Sequence, residues 1–401
     1  MLEQALAIRI SRHGKTGPQA ARGHGAVARY YQFRGESEPA QRAVDRAVKA
    51  AKDDPTWLTL RGQIAMLAGD LAAAEVAFLG ALKKLRGPAR REALQGLGNV
   101  HVQQGNGRKA AQRYHQALAF TDDDSHDHAV LQAGLGQAAA AQDQHEEAIE
   151  HFERALEIML ETVGETHAEV AVCLNNLGLA WSGLDAWQAA AVAQYAVAVG
   201  EHAYGTDHPF QATSLANLAY YCSALDLPGV AITYAERGLA ILERTRPPWH
   251  LDVAVALSNL ANYHRESEQP ELALTRAIQL AGIVPELAKL DHEAVAAVLF
   301  STGTIVLEVG RDPVRAVTLY EQALLLRERL RDPDDEVLGH TASNAAARLF
   351  EANATPHALA LLRAARPRWT DEDLLELLAG RIDALERGDR DAVLEDTELE
   401  P

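Results

Sequence analysis

Apolar and small residues return along this chain at offsets of three, four and seven, the signature of helices that bury one stripe of their surface. Residues 135–156, 177–197 and 215–239 superimpose on one skeleton: a small residue, a second one twelve positions on, then buried positions four and seven beyond that. The first small residue, here called the marker, falls at Ala28, Gly62, Gly98, Gly136, Gly178, Ala219, Ala261, Gly303 and Ala346. Its partner falls at Ala40, Ala74, Ala110, Ala148, Ala190, Ala231, Ala273 and Ala358. In the eighth repeat Ala316 comes one residue late, which predicts an insertion between Gly310 and Pro313. Four beyond the partner stand Phe78, Tyr114, Phe152 and Tyr320; seven beyond stand Ala47, Ala81, Ala117, Ala155 and Ala323.

Each repeat therefore predicts two antiparallel helices, a helix A with the marker and a helix B with the partner. Such helices approach closely only where small side chains face each other, and bulky residues a turn away fill the flanking holes. Gly69-Asp70, Gly105-Asn106-Gly107 and Leu227-Pro228-Gly229 are the loop signals that part A from B. A single pair cannot bury its own apolar face, so neighbours must stack into an all-α solenoid with a concave inner surface.

The Leu-Gly at the marker, the later Ala, and the aromatic followed by Ala-Leu resemble the tetratricopeptide repeat family. The resemblance covers roughly residues 1–368 and implies a right-handed superhelix of stacked helix pairs. Marker spacing is 34, 36 and 38 residues for three steps and then 41 to 43. The first value matches the ordinary period of the family. The longer ones, in segments such as residues 164–178 and 205–219, resemble the long-form repeats of kinesin light chains and bacterial signalling proteins.

This register divides the chain into a half-repeat or capping helix at 1–14, three shorter repeats at 24–122, six long-form repeats at 126–368, and a C-terminal capping helix with an acidic tail at 369–401. The start resembles the second helix of a long repeat, with Leu2, Ala5 and Leu6 at packing positions. It reads either as a cap or as the continuation of something longer. Thr370 or Asp371 is the expected N-cap of the last helix.

Composition supports helices: Ala and Leu dominate, and 5% of residues are aromatic. No apolar run is long enough for a membrane span and no signal-peptide pattern opens the chain. Two cysteines, Cys173 and Cys222, at different phases of the repeat, make no disulfide framework, so a cytoplasmic setting is expected. The net charge of −18 is uneven. Residues 1–121 hold 19 Lys and Arg against 9 Asp and Glu, and the rest hold 19 against 47. The gradient either serves solubility or steers partners, and it allows head-to-tail self-association.

Candidate chemistry is sparse. His167, His208, His250 and His292 each stand eleven residues before a marker. Positions one repeat apart lie too far from each other to converge on one metal ion, so helix capping is the expected role. His126 and His128 among Asp122, Asp123, Asp124 and Asp127 form a denser cluster, open to adventitious metal. No phosphate-binding glycine loop, serine elbow or paired nucleophile and base stands out, so neither an enzyme nor a cofactor is expected.

The most informative constellation is asparagine. Two residues before the marker stand Asn176, Asn217, Asn259 and Asn344, with Ser301 in the remaining place. This phase lies about 200° around helix A from the marker, toward the concave side. Asn175, Tyr220, Asn262, Ser258 and Phe300 share that face approximately, as do Gln63, Glu92, Gln95, Asn99 and Arg29 in the first third. Such amides either bond an extended peptide at regular intervals or bond between neighbouring helices. The basic residues Lys83, Lys84, Arg86, Arg90, Arg91, Arg108, Lys109 and Arg113 lack interleaved aromatics, which points to an acidic protein partner rather than nucleic acid. The expected function is a protein-interaction scaffold that holds a peptide or partner protein in its groove, with Asn175, Asn176, Asn217, Tyr220, Asn259, Asn262 and Asn344 as its contacts. The alternative is a regulatory or sensory module of a larger signalling protein, linked to a kinase or NTPase.

Overall fold

The computed structural model describes residues 14–34, 36–52, 54–290, 292–330, 336–365 and 372–394. Twenty α-helices and one 3-10 turn make up the regular structure of the described residues. They fall into two compact units, the first ending at Ala203 and the second beginning at Tyr204. The half-repeat expected at 1–14 and the N-cap expected at Thr370 or Asp371 lie almost wholly outside the described residues.

The first unit holds α1 (Pro18–Phe33), α2 (Ser37–Ala50), α3 (Pro55–Leu67), α4 (Leu71–Lys84), α5 (Arg91–Gln103), α6 (Gly107–Leu118), α7 (His126–Ala140), α8 (His145–Thr162), α9 (Ala168–Ser182) and α10 (Ala186–Tyr204). Its odd-numbered helices are the A helices. Each packs on its own B helix where a pair contact is resolved, and A helices touch the next A helix, as α3 touches α5 and α5 touches α7. The second unit holds α11 (Pro209–Ala224), α12 (Pro228–Thr245), α13 (Leu251–Glu266), α14 (Pro270–Leu287), α15 (Glu293–Glu308), α16 (Pro313–Leu330), α17 (Glu336–Glu351), α18 (Thr355–Ala365), α19 (Glu372–Arg387) and α20 (Arg390–Leu394). It stacks by the same rule, with α13 on α15 and α15 on α17. The chain is thus an all-α array of sequential helix pairs.

The skeleton residues are the core. Phe78, Tyr114, Phe152 and Tyr320 are buried with the small residues around them. Each ring lies against the marker glycine of its own repeat: a Cβ added at Gly62, Gly98, Gly136 or Gly303 would sit 2.7, 2.5, 2.8 or 2.9 Å from it. Two of the rings also touch the next A helix, Phe78 at Gly96 and Tyr114 at Gly134, where an added Cβ would lie 2.4 and 2.8 Å away. A glycine on each side is what admits the ring between two backbones. Full burial of such a ring stabilises by about 1.5–3 kcal/mol.

The A-to-B loops turn through a left-handed residue seven positions after the marker: Gly69, Gly105, Asp143, Asp226, Glu268 and Asn353. In the eighth repeat that residue is Arg311, one position later, with Ala316 fully buried, as the insertion requires. The fifth repeat corrects the sequence register. Its loop, residues 183–185, is one residue shorter than residues 141–144 of the repeat before and has no left-handed residue. The partner therefore moves to Ala189, which is fully buried, while Ala190 is only half-buried.

Candidate functional site

On the A helices of the first unit, helical spacing lines up amides. Gln95, Asn99 and Gln103 form one stripe along α5, each four residues from the last. With Gln137, Val130 and Ala133 of α7 and with Glu169, Val172 and Asn176 of α9, they line a cavity of about 310 Å³. An adjoining recess shares Met66, Gln95 and Asn99 with it and adds Gln32, Gln63, Arg91 and Glu92. The small residues Ala133 and Gly134 leave the room. Asn99 is oriented from below: its Oδ1 accepts the hydroxyl hydrogen of buried Tyr114 at 2.7 Å. Gln63 donates to Glu92 at 2.7 Å and so ties α3 to α5 across the same face.

The expected site residues divide between these two units. Asn176 lines the cavity of the first unit, and Asn175 beside it is half-buried. In the second unit Asn259 lines a separate, largely apolar cavity of about 270 Å³ between α11, α12 and α13. Asn262 donates to Ser301 at 2.9 Å, linking α13 to α15. Asn217 is half-buried and Tyr220 is 59% exposed, whereas Asn344 is buried inside the packing at 7%. Phe300 and Ser258, read onto the same face, are buried as well, Phe300 with its ring 5.0 Å from that of Tyr320. Inter-helix bonding along this face recurs at Ser223–Glu266 and Arg348–Glu308.

Gln103 and Gln137 are groove residues that the sequence reading passed over. The asparagine register marks the position two before the marker, and glycine holds it in the third and fourth repeats, at Gly96 and Gly134. A search at offsets of four from Asn99 would have found Gln103.

The four histidines cap helices. Nδ1 of His167, His208, His250 and His292 accepts the backbone N–H two residues on, at 3.3, 3.2, 3.2 and 3.1 Å. The denser cluster is spent on ion pairs and local bonds: Asp127 pairs with Arg91 at 2.9 Å and His126 with Glu169 at 2.8 Å. Among the described residues no group of three His, Cys, Asp or Glu is placed to hold a metal ion. Burial pushes the Cys173 thiol up to about 12 and raises Cys222 as well, which makes both weak nucleophiles. No described helix is long and apolar enough to cross a membrane. Of the basic residues, Lys84 donates to the Lys52 carbonyl and Arg86 to those of Lys83 and Leu85, while Lys83, Arg108 and Lys109 are exposed.

Two tetratricopeptide repeat family models match the chain, over residues 93–127 and 127–198. The Clustered mitochondria protein homologs of Aedes aegypti and Culex quinquefasciatus are each 29% identical over 140 residues, 35% of this chain. The matched stretch is 10% of either relative, so the chain spans about a tenth of the length of these curated relatives. Among solved structures the apo form of RapI is similar over 69% of this chain and 98% of its own, at 16% identity and a TM-score of 0.52. That likeness shows the fold. BtubC (BKLC) from P. vanneervenii matches over 60% of this chain and 92% of its own, at 21% identity and a TM-score of 0.42.

Proposed function

This chain is a tetratricopeptide repeat protein, and from that premise we propose that it is a non-catalytic scaffold that holds an extended partner segment against its A-helix face. Repeats of this kind are in general protein-interaction modules. The observation that carries the reading here is the continuous amide-lined groove of the first unit, where Gln95, Asn99, Gln103, Gln137 and Asn176 come from three successive A helices. An amide offers both a donor and an acceptor, so a row of them can bond the backbone of an extended peptide without demanding a particular sequence. Val130, Ala133 and Val172 between the amides supply apolar contact for its side chains. Exposed Lys83, Arg108 and Lys109 favour a partner with acidic residues.

The test is a selection of extended peptides against the full chain, followed by titration of the strongest binder against Gln103→Ala, Gln137→Ala and Asn176→Ala. Each lost amide is expected to weaken binding by about fivefold, the worth of one net hydrogen bond near 1 kcal/mol, with helicity by circular dichroism unchanged. A library that yields no binder, or a binder indifferent to all three changes, overturns the reading.

A further inference from the structure

The turns that lead from each B helix to the next A helix lie along one edge of the first unit, and three contacts stitch them together in order. Lys84 Nζ donates to the Lys52 carbonyl at 2.8 Å, which joins the α4–α5 turn to the α2–α3 turn. Arg91 pairs with Asp127 at 2.9 Å and joins it on the other side to the α6–α7 turn. His126 carries the series on to the start of α9 through Glu169, at 2.8 Å.

Charge changes sign along this edge. The α4–α5 turn holds Lys83, Lys84, Arg86 and Arg90, and between Asp54 and Glu92 the acids are Asp70 and Glu75, near the opposite end of α4. The α6–α7 turn holds Asp122, Asp123 and Asp124, and the α8–α9 turn holds Glu161 and Glu165. From 114 to 236 the one Lys or Arg is Arg154, in the middle of α8. The α2–α3 turn is mixed: Lys49 and Lys52 stand before Asp53 and Asp54, and the Asp54 carboxylate is spent on capping α3, where it accepts the Thr56 N–H at 3.0 Å.

Little of this charge is used within the chain. Lys83, Arg90, Asp122, Asp124 and Glu161 make no side-chain hydrogen bond or ion pair among the described residues. Arg86 donates to the Lys83 and Leu85 carbonyls and to no carboxylate. A polyanion or an acidic peptide laid on such an edge meets repulsion over half of it. A second copy related by a two-fold axis, passing between the α4–α5 and α6–α7 turns, sets base against acid on both sides of that axis.

We propose that the chain forms a two-fold dimer through this edge, the α4–α5 turn of each copy lying against the α6–α7 turn of the other. The contact is made by the turns and not by the A-helix face, so it stands apart from the groove reading. Single exposed ion pairs contribute little, so the contact works as a network and weakens with salt.

Sedimentation equilibrium of the full chain should show association that stops at the dimer and weakens about tenfold or more between roughly 50 and 300 mM salt. Two variants test the pairing: Lys83→Glu with Arg86→Glu, and Asp122→Lys with Asp124→Lys. All four side chains are exposed, and circular dichroism checks the fold of each variant. Where the Arg86 change disturbs its turn, Lys83→Glu alone is read in its place. Each variant by itself sets like charges together and should stay monomeric. An equimolar mixture of the two sets opposite charges together again and should restore the dimer. A wild-type chain that remains monomeric up to about 200 µM in low salt overturns the proposal. So does growth beyond the dimer, association that survives either variant, or a mixture that stays monomeric.

Discussion

At the level of single residues, a glycine's worth in this chain depends on what faces it. Gly96 is a helical residue whose added Cβ would press on the Phe78 ring at 2.4 Å, and Gly62 holds that ring from the other side, so it has nowhere to go. Gly96→Ala is expected to cost about 1–3 kcal/mol, the usual range for overpacking, despite the better helix propensity of alanine. Gly282, inside α14, has nothing within 4 Å of its added Cβ. Gly282→Ala should therefore stabilise by roughly 0.5–1 kcal/mol. Urea denaturation of both variants checks the pair, and like signs would contradict the packing account. Glu268 and Arg311 hold left-handed backbone at φ 55 and 52. Replacing either by glycine should raise the thermal midpoint slightly, because the strain of a side chain there outweighs the flexibility gained. The skeleton was legible because its small residues are the contacts themselves. The Ala189 correction was not, since Ala189, Ala190 and Ala191 are alike and no side chain signals which of them turns inward.

Among the elements, four of the long-form A helices, α9, α11, α13 and α15, share an unusual start. Histidine is not one of the common N-caps, yet Nδ1 reaches the same N–H that an aspartate or serine oxygen would. His250→Ala should cost about 1 kcal/mol, and His250→Asn should restore most of it, since an amide oxygen can take over the bond. Hydrogen exchange of the first turn of α13 reads this locally. An unchanged rate in the alanine variant would mean the cap contributes nothing. The caps could be read from sequence because the four histidines keep one register ahead of the marker. Only part of the candidate surface could be read so. Asn176 and Asn259 line cavities, but Asn262 is bonded to Ser301 and Asn344 is buried, because polar residues on this face of the A helices also serve contacts between neighbouring helices. A register says which stripe a residue shares, not whether the next helix covers it.

For the molecule as a whole, the buried tyrosines and cysteines make alkaline pH the informative stress. Burial holds the Tyr320 hydroxyl and the Cys173 thiol up to about 12, from ordinary values of 10.0 and 9.0, and raises Tyr114 too. The folded chain keeps these protons longer than the unfolded chain, so their contribution is complete below pH 9 and is lost as pH rises toward 12. Denaturation midpoints should be flat with respect to these groups near neutrality and should fall steeply above pH 10, and a Tyr320→Phe variant should fall less. Electrostatics works at this scale as well. The basic first third, with 19 Lys and Arg against 9 Asp and Glu, would draw an acidic partner toward the groove at a rate that drops with added salt.

The central claim is that a partner segment lies along the A-helix face, and site-directed photo-cross-linking tests it most directly. A photoreactive residue placed at Gln103 or Gln137, on that face, is compared with one at Glu153 or Arg154, exposed on helix α8, in the presence of the selected peptide. The account predicts cross-linked product from the first two positions and background from the others. Product mainly from Glu153 and Arg154 would contradict it and place the partner on the B helices.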